Sequence, residues 1–393
     1  MTAKEILENP ECLAISYGGY RARSRDVQPT VAQLKEDMRI LFAMGIRIIR
    51  TYNVHLPHAS NVLKAIEELS CEVNGFKMYV MLGAWIDCKN AWTGKPIDHS
   101  EESGNNALEI ERAVVLAKRY PDIVKILAVG NEAMVKWATA YYVQPGIILK
   151  WVNYLQSLKK KGELPEDIWI TSSDNFASWG GGSNEYHVSE LNELIKSVDY
   201  ISMHTYPMHD THYNPSFWGV LPEEKELPET GKIDVMMKRA VSYAMQQYYS
   251  VVAYVKSLGM NKAVHIGETG WASHSNGFYG KAGSLATDEY KEALFYWYLR
   301  EWTHEKKISC FYFEAFDEPW KDSLNPEGSE NHFGLFTVDG KAKFVLWDLV
   351  DKGTFKGLTR DGQSISKTYE GDKVKMLLDV NVPPIREAIS ANH

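Results

Sequence analysis

The sequence lacks the features that mark several classes of protein. Its four cysteines, Cys12, Cys71, Cys88 and Cys310, show no CxxC spacing, and sequence alone does not rank the three pairings that four cysteines allow. We expect unpaired thiols. The chain contains no stretch of 18 consecutive apolar residues, so a membrane-spanning helix is not predicted. Linkers rich in Pro, Gly or Ser, charge blocks and short internal repeats are also missing.

The chain has no excess of positive charge. Its formal net charge is -8, which disfavours nucleic acids and anionic membrane surfaces as partners and suits a neutral or soluble ligand. The N-terminal stretch MTAKEILENPECLAI lacks the basic, apolar and small-residue regions of a signal peptide. Two interpretations therefore stay open: the protein is intracellular, or the sequence begins after a removed signal.

Apolar, β-branched stretches alternate about eight times with helical patterns along the chain. The candidate strands are CLAISYG from Cys12, IRIIRTY from Ile46, KMYVMLGAW from Lys77, VKILAVG from Val124, DIWITSS from Asp167, VDYISMH from Val198, KAVHIGE from Lys262 and ISCFYFEAF from Ile308. After a helix start signal at Pro29 and Thr30, apolar residues recur at helical spacing. This alternation predicts an α/β fold of the (β/α)8 TIM-barrel type.

One domain can hold the whole chain of 393 residues, because such barrels run from about 250 to more than 400 residues. Long connections after the third, sixth and eighth strands, roughly residues 86–107, 207–235 and 317–343, lie on the face where binding sites form. From about residue 352 the chain is polar until VKMLLDVNVPPI. Whether this C-terminal extension packs back on the barrel is left open by the sequence.

Two glutamates each stand at the carboxyl end of an apolar run. Glu132 follows VKILAVGN, and Glu268 follows KAVHIG. All strands of a (β/α)8 barrel open onto the same face at their carboxyl ends, so residues far apart in sequence converge there. A single glutamate in such a place is commonly a solvated or ion-paired carboxylate. A pair indicates glycosidase chemistry, in which one carboxyl protonates the leaving oxygen and the other stabilises or attacks the anomeric carbon.

Five segments, IRIIRTYN, ILAVGNEAMV, VDYISMHTYP, HIGETGWAS and FYFEAFDEPWK, occur in this order. Together they resemble glycoside hydrolase family 17, the β-1,3-glucanase family within the large clan of retaining (β/α)8 glycosidases. FEAFDEPWK followed by ENHFGLFTVDG is more similar to the bacterial and fungal members than to the plant members. The resemblance implies that Glu132 is the acid/base and that Glu268 is the nucleophile.

Retention of configuration follows from that resemblance. In retaining enzymes the two carboxyl groups stand about 5 to 5.5 Å apart, so the second attacks carbon directly and a covalent glycosyl-enzyme forms. Glu132 would carry a proton while Glu268 is ionised. Once Glu268 is glycosylated its charge is lost, and Glu132 can then ionise and activate the incoming water.

The resemblance also implies substrate contacts near the two glutamates. Asn131 would hydrogen-bond the sugar 2-hydroxyl, and Tyr206 would orient the nucleophile. His204 lies two residues before Tyr206 and is expected on the same side of the strand. Tyr52 and Asn53 match the family only in part, because family members carry Asp or Gly at the second position.

Further substrate contacts are expected on the eighth strand and from aromatic rings. Glu318 and Lys321 match a second carboxylate and a lysine that contact the acid/base and glucose hydroxyls in the family. Stacking of a ring on a sugar contributes on the order of 1 kcal/mol. Tryptophans fall at or just after predicted strand ends at positions 85, 92, 137, 179, 218, 271 and 320. Trp271, next to the second glutamate motif, is expected to form a subsite wall.

Metal and nucleotide sites are not predicted. The stretch MHTYPMHDTH holds metal-ligand types, but its spacings fit no compact motif. The Gly-rich stretches SWGGGSN and GWASHSNGFYGKAG do not have a phosphate-loop spacing and are interpreted as cleft loops.

The sequence therefore predicts a retaining, endo-acting β-1,3-glucan hydrolase that needs no cofactor and acts as a monomer on laminarin-like chains. We expect a secreted, periplasmic or cell-surface location, with a cytoplasmic one left open. Three alternatives remain at this point: a β-1,3-glucanosyltransferase with the same two carboxylates, a relative that cuts β-1,4 or mixed-linkage glucan, and a catalytically inactive glucan-binding protein.

Overall fold

Eight parallel strands close into a barrel in which each strand pairs with its neighbours in sequence and β1 also pairs with β8. In the computed structural model, which describes residues 1–386, the barrel strands are β1 Leu13–Ser16, β2 Ile46–Arg50, β3 Tyr79–Ala84, β4 Val124–Asn131, β5 Trp169–Asn175, β6 Ile201–His204, β7 Val264–Gly270 and β8 Cys310–Phe313. Every one of them lies within or overlaps a predicted strand. The predicted (β/α)8 barrel is therefore confirmed.

Helices surround the barrel and fill the connections. They are α1 Ala3–Leu7, α2 Val31–Ala43, α3 Pro57–Glu72, α4 Asn105–Arg119, α5 Pro145–Lys160, α6 Ser189–Ser197, α7 Pro207–Tyr213, α8 Glu229–Ser257, α9 Glu289–Lys306, α10 Trp347–Asp351 and α11 Lys373–Leu378. The predicted start of α2 is confirmed by a capping box, in which Thr30 and Gln33 bond each other's backbone N–H groups at 3.2 and 3.0 Å.

The interior of the barrel is apolar at one end and polar at the other. Toward the amino ends of the strands, side chains such as Ile48, Met81 and Phe311 form a compact cluster that Ile6 and Leu7 of α1 close from below. A larger apolar cluster fills the space between the strands and the outer helices. Because the apolar layers fill the lower barrel, only the carboxyl ends of the strands are left to carry polar groups.

The C-terminal extension packs on the barrel. Arg360, fully buried, donates from Nε to Oδ1 of Asp37 at 3.0 Å, and Arg21 donates to the same carboxylate oxygen at 3.0 Å. Met376 of α11 is buried, and further along the backbone N–H of Val220 donates to a carbonyl of the extension at 3.1 Å. The sequence left this question open. Residues 387–393 of the expected domain lie outside the described part.

All four cysteines are unpaired, as expected; Cys71 is exposed and the other three are buried. Among residues 1–386, no helix combines the length and the apolar character needed to cross a bilayer.

Candidate active site

The two glutamates meet at the carboxyl end of the barrel. Glu268 lies inside β7, and Glu132 is the first residue after β4. A third side chain, His204 at the end of β6, lies between them in the hydrogen-bond network. Its Nδ1 is 3.2 Å from Oε1 of Glu132. Its Nε2 is 3.3 Å from a guanidinium nitrogen of Arg50, and this nitrogen also donates to Glu268. Two polar side chains, His204 and Arg50, therefore connect the two carboxylates.

Glu268 is surrounded by hydrogen-bond donors. Arg50 at the end of β2 donates to its Oε2 at 2.7 Å, and the Tyr52 hydroxyl donates to the same oxygen at 2.8 Å. The Tyr206 hydroxyl donates to the other oxygen, Oε1, at 2.6 Å. The residue is only 7% exposed. The carboxylate is therefore fixed in orientation by donors on both oxygens before any substrate arrives.

These donors keep Glu268 ionised. Burial would raise the pKa of this carboxyl, but nearby His204 and Arg50 and the hydroxyls of Tyr206 and Tyr52 outweigh burial and lower the pKa to about 2. Burial and the charge of Glu268 raise the pKa of both tyrosines well above the usual value, so they remain neutral donors. Near neutral pH, Glu268 is an anion that is ready to attack or to stabilise positive charge.

Glu132 sits in a different environment. Its side chain is 25% exposed, and its backbone has φ of +46°, in the left-handed region that non-glycine residues seldom adopt. The turn is held on β5: the backbone N–H of Glu132 donates to the carbonyl of Ser173 at 3.0 Å, and that of Met134 donates to Oδ2 of Asp174 at 2.7 Å. Bonds to β5 therefore support an unfavourable backbone conformation at Glu132, whose carboxyl lies within hydrogen-bond distance of His204.

Asp174 is a buried carboxyl that the sequence analysis did not single out. Burial raises its pKa to about 6, with donation from Ser178 and Met134 acting against burial and the charge of Glu132 adding to it. The Ser178 hydroxyl donates to Oδ1 at 2.6 Å. Its side chain therefore links β5 to the turn that carries Glu132.

His204 and Arg50 form the floor of the site. His204 is fully buried, with Nε2 2.7 Å from the Ser173 hydroxyl, so the expectation that it contacts substrate is wrong: its polar atoms are used by protein groups. Arg50 donates to Glu268, to the carbonyl of Gly267 at 2.9 Å and to Oδ1 of Asn131. Arg50 was not predicted, although a charged residue at the end of the apolar run IRIIR was the available signal.

A cleft of about 740 Å³ extends from Glu268 toward the segments that follow β1, β2, β3 and β8. The predicted residues Tyr52, Asn53, Asn131, Glu318 and Lys321 all line it, together with unpredicted aromatic residues such as Tyr20 and the predicted strand-end tryptophans 85, 92 and 320. The rings belong to different loops of the carboxyl face. The structure thus assembles a cavity with polar groups at the bottom and aromatic walls.

Glu318 and Lys321 form a buried charged pair in this cleft. Glu318 accepts from the backbone N–H of Tyr20 at 3.1 Å and from Trp320 Nε1 at 3.0 Å. Lys321 Nζ lies 3.7 Å from Glu318 and 3.8 Å from Glu314, which places the ammonium group between two carboxyls. Within residues 1–386, no hydrogen bond joins Glu318 to Glu132. The pair therefore faces the cleft beside Glu268 rather than the expected acid/base.

Gly18 explains how Glu318 reaches this position. A Cβ atom at residue 18 would lie 2.0 Å from Oε1 of Glu318. The close approach of the segment after β1 to this carboxylate therefore requires glycine.

Trp271 does not form a subsite wall, and this expectation is corrected. The side chain is fully buried, its Nε1 donates to the carbonyl of Ala286 at 2.8 Å, and its ring packs on Trp218 and Phe295 at 5.6 and 5.0 Å. The chain turns outward after β7, so the residue following the strand points into the layer between barrel and helices. Trp271 therefore anchors the loop that follows β7.

Metal binding has no support in the described part of the chain. Among residues 1–386, no group of three or more His, Cys, Asp or Glu side chains is arranged to hold a metal ion.

Two glutamates at the carboxyl ends of β4 and β7 of a (β/α)8 barrel, beside a cleft with aromatic walls that Glu268 lines, define the class of barrel glycoside hydrolases. The model of the BtgE/BtgC glycoside hydrolase domain matches residues 14–334, which includes all eight strands and both glutamates. The chain belongs to this family.

Known proteins of the same kind are similar over most of the chain. A crystal structure of an endo-laminarinase from Formosa Hel1_33_131 is 67% identical, with a TM-score of 0.99 and full coverage of both chains. A glucan 1,3-beta-glucosidase from Arthroderma benhamiae is 28% identical over 80% of this chain and 83% of its own length. A probable glucan endo-1,3-beta-glucosidase, btgC, from Aspergillus clavatus is 24% identical, and the match covers 39% of that longer protein.

Proposed function

We propose that this chain is a retaining, endo-acting β-1,3-glucan hydrolase of glycoside hydrolase family 17, with Glu132 as acid/base and Glu268 as nucleophile. The observation that carries the proposal is the asymmetry of the two carboxyls. Glu268 is almost fully buried, accepts from Arg50, Tyr52 and Tyr206, and has its pKa lowered to about 2. Glu132 is more exposed, and within residues 1–386 the one side chain that lies within hydrogen-bond distance of its carboxyl is His204. Such a difference is what separates a nucleophile from an acid.

In the first step, Glu268 attacks the anomeric carbon as the bond to the leaving oxygen breaks. Glu132 gives its proton to that oxygen, the aglycone leaves as an alcohol, and an ester bond joins the sugar to Glu268. In the second step, Glu132 takes a proton from water, the water oxygen attacks the anomeric carbon, and the ester bond breaks. Two inversions retain the β configuration, and both carboxyls return to their starting protonation states.

Asn131 supplies a transition-state contact in this proposal. Its Oδ1 accepts from Arg50, and this bond fixes which end of the amide faces the cleft. The Nδ2 group is then the donor directed to the substrate, where a bond to the sugar 2-hydroxyl would strengthen as positive charge develops at the anomeric carbon.

The cleft binds the glycone, which is the part of the glucan on the non-reducing side of the scissile bond. Glu268 lines the cleft, and the sugar that it attacks must therefore sit there. Lys321 and Glu318 offer a charged donor and an acceptor to the hydroxyls of the glycone, while Trp85 and Trp320 offer rings to its C–H faces. Together these groups would hold several consecutive glucosyl units.

The similar enzymes named above support laminarin-type β-1,3-glucan as the substrate, because the Formosa protein is an endo-laminarinase and the Arthroderma protein a glucan 1,3-beta-glucosidase. We propose in addition that the chain forms a single catalytic domain, acts as a monomer and works outside the cytoplasm, where polymeric glucan is found. Sedimentation analysis and fractionation of the source cells test the last two statements.

Digestion of laminarin with sizing of products over time tests the activity. Early release of oligosaccharides of several lengths is expected from an endo-acting hydrolase, whereas release of glucose alone would contradict endo action. When a laminari-oligosaccharide is the substrate, products longer than the starting oligosaccharide would instead identify a glucanosyltransferase. Binding of laminarin without any cleavage would identify an inactive glucan-binding protein.

Two variants assign the carboxyls independently. Glu268→Ala with azide should yield the α-glycosyl azide, because azide occupies the space of the removed nucleophile. Glu132→Ala should retain the first step on aryl glycosides with good leaving groups, and azide should then yield the β-glycosyl azide. The opposite pair of anomers would reverse the two roles. A matched control is Glu185→Ala, since this glutamate is exposed and pairs with Lys136 away from the cleft.

A further inference from the structure

A series of aromatic rings leads away from the nucleophile along the segments that follow β6 and β7, and none of these rings lines the cleft. It begins with Tyr206, whose hydroxyl bonds Glu268 and whose ring stacks on His209 at 5.0 Å with an interplanar angle of 16°. His209 lies 5.5 Å from the ring of Tyr279. We call the whole series the aromatic track; its members are Tyr206, His209, Tyr279, His212, Phe278 and Tyr213.

The outer end of the aromatic track is open to solvent. Phe278 stacks on His212 at 4.2 Å and 8°, yet it is 57% exposed, and Tyr213 beside it is 62% exposed. Large apolar side chains that lie together at the surface mark binding sites more often than isolated ones do. We therefore expect a ligand to bind over these exposed rings.

The segments that carry the exposed rings are hydrogen-bonded to each other. Residues of α7 and of the loop after β7 are bonded to each other: the Thr211 hydroxyl lies 2.8 Å from that of Ser284, and Trp218 Nε1 donates to the carbonyl of Ser284 at 2.7 Å. Trp271, buried beneath, anchors the same loop. These contacts fix the positions of the rings, so less conformational entropy is lost when a ligand binds.

The direction of the aromatic track matches the path of a bound chain. The cleft beside Glu268 is built by segments after β1, β2, β3 and β8, whereas the aromatic track is built by segments after β6 and β7. If the glycone fills the cleft, the leaving oxygen lies beside Glu132, and the rest of the chain must exit on the other side. The aromatic track begins there, at Tyr206.

We propose that the aromatic track is the aglycone-binding surface, which holds β-1,3-linked glucosyl units on the reducing side of the scissile bond by stacking their C–H faces on Phe278 and Tyr213. This proposal rests on the proposed function, because it uses the assigned roles of Glu132 and Glu268. The His209 ring near Tyr206 would contact the first of these units. Longer aglycones would then be cleaved faster.

Phe278→Ala and Tyr213→Ala test the proposal, with Tyr154→Ala as the matched control, since Tyr154 is a 45% exposed tyrosine on the outer helix α5. Two substrates are compared: laminarihexaose, which places sugars on both sides, and an aryl β-laminaribioside, whose leaving group contains no sugar. For each ring removed, kcat/KM on laminarihexaose should fall about fivefold to tenfold. The value on the aryl glycoside should stay within a factor of two.

The position of cleavage gives a second readout. Hydrolysis in ¹⁸O-labelled water followed by mass spectrometry locates the scissile bond, and both variants should shift cleavage toward the reducing end, because fewer units on that side are then held. An equal loss of kcat/KM on both substrates, or an unchanged cleavage pattern, would overturn the proposal. Phe278→Leu keeps the apolar bulk without the ring and serves if Phe278→Ala is unstable. Absence of any laminarihexaose cleavage by the wild type would instead refute the proposed function.

Discussion

The hydroxyl groups of Tyr52 and Tyr206 should set the lower pH limit of activity. Each donates to one oxygen of Glu268, at 2.8 and 2.6 Å, and both contribute to lowering its pKa to about 2. Because the pKa is held well below its usual range, Glu268 stays ionised into the acid range, and activity falls on the acid side when this carboxylate gains a proton. Replacement of either tyrosine by phenylalanine removes a donor and should move this loss to higher pH.

The size of the effect follows from the strength of the bond. A hydrogen bond to a charged group contributes about 1.5–3 kcal/mol, and about 1.36 kcal/mol corresponds to one pH unit. Tyr52→Phe or Tyr206→Phe should therefore raise the acid limb of kcat/KM by about 1–2 pH units, and the double variant should raise it further. The acid limb is measured on kcat/KM because the pH dependence of kcat/KM reports the pKa values of groups in the free enzyme.

The assay is hydrolysis of an aryl β-laminaribioside between pH 2 and pH 8, with circular dichroism at each pH to confirm that the protein is folded. Tyr20→Phe is the control, because this tyrosine lines the same cleft and its backbone N–H bonds Glu318 rather than Glu268. An acid limb in the double variant that coincides with that of the wild type and of Tyr20→Phe would refute the account of how Glu268 is kept ionised.

Two further predictions concern residues that support the site. Trp271→Ala should lower the free energy of unfolding by about 3–5 kcal/mol, as for other large buried aromatic residues, without changing KM for laminarin; a raised KM at unchanged stability in denaturant titrations would return this residue to the substrate cleft. Asp174→Asn should reduce kcat more on laminarin than on an aryl glycoside with a good leaving group, because Asp174 acts through the turn that holds Glu132. Equal losses on the two substrates would contradict that positioning role.

The barrel could be predicted from sequence because each strand carries a complete local signal. In VKILAVGN, for example, a buried apolar run is followed by glycine and polar residues, and the structure has β4 over Val124–Asn131. The position of Glu132 and Glu268 at strand ends follows from the same signal. Both are carboxyl side chains near the end of runs that are otherwise buried, which is where a barrel places catalytic residues.

The orientation of side chains beyond the strand ends could not be predicted in the same way. Trp271 directly follows β7, and whether it faces the cleft or the helices depends on the path of the next loop, which its bond to Ala286 determines. His204 was expected on the same side of its strand as Tyr206, whereas its contact with Ser173 of the neighbouring strand depends on the packing of the barrel. Arg50 was missed because its partner Glu268 is distant in sequence, although both lie at or near the carboxyl ends of buried strands.

In the proposed mechanism, Glu268 forms a covalent bond to the substrate. A 2-deoxy-2-fluoro-β-laminaribiosyl donor with a good leaving group should form the glycosyl-enzyme quickly and release it slowly, so that the intermediate accumulates. Intact mass spectrometry should show the addition of one fluorinated disaccharide, and peptide mapping should place it on Glu268 within KAVHIGETGWAS. Attachment to any other residue, or turnover to an α-configured product without a trapped intermediate, would contradict the assignment.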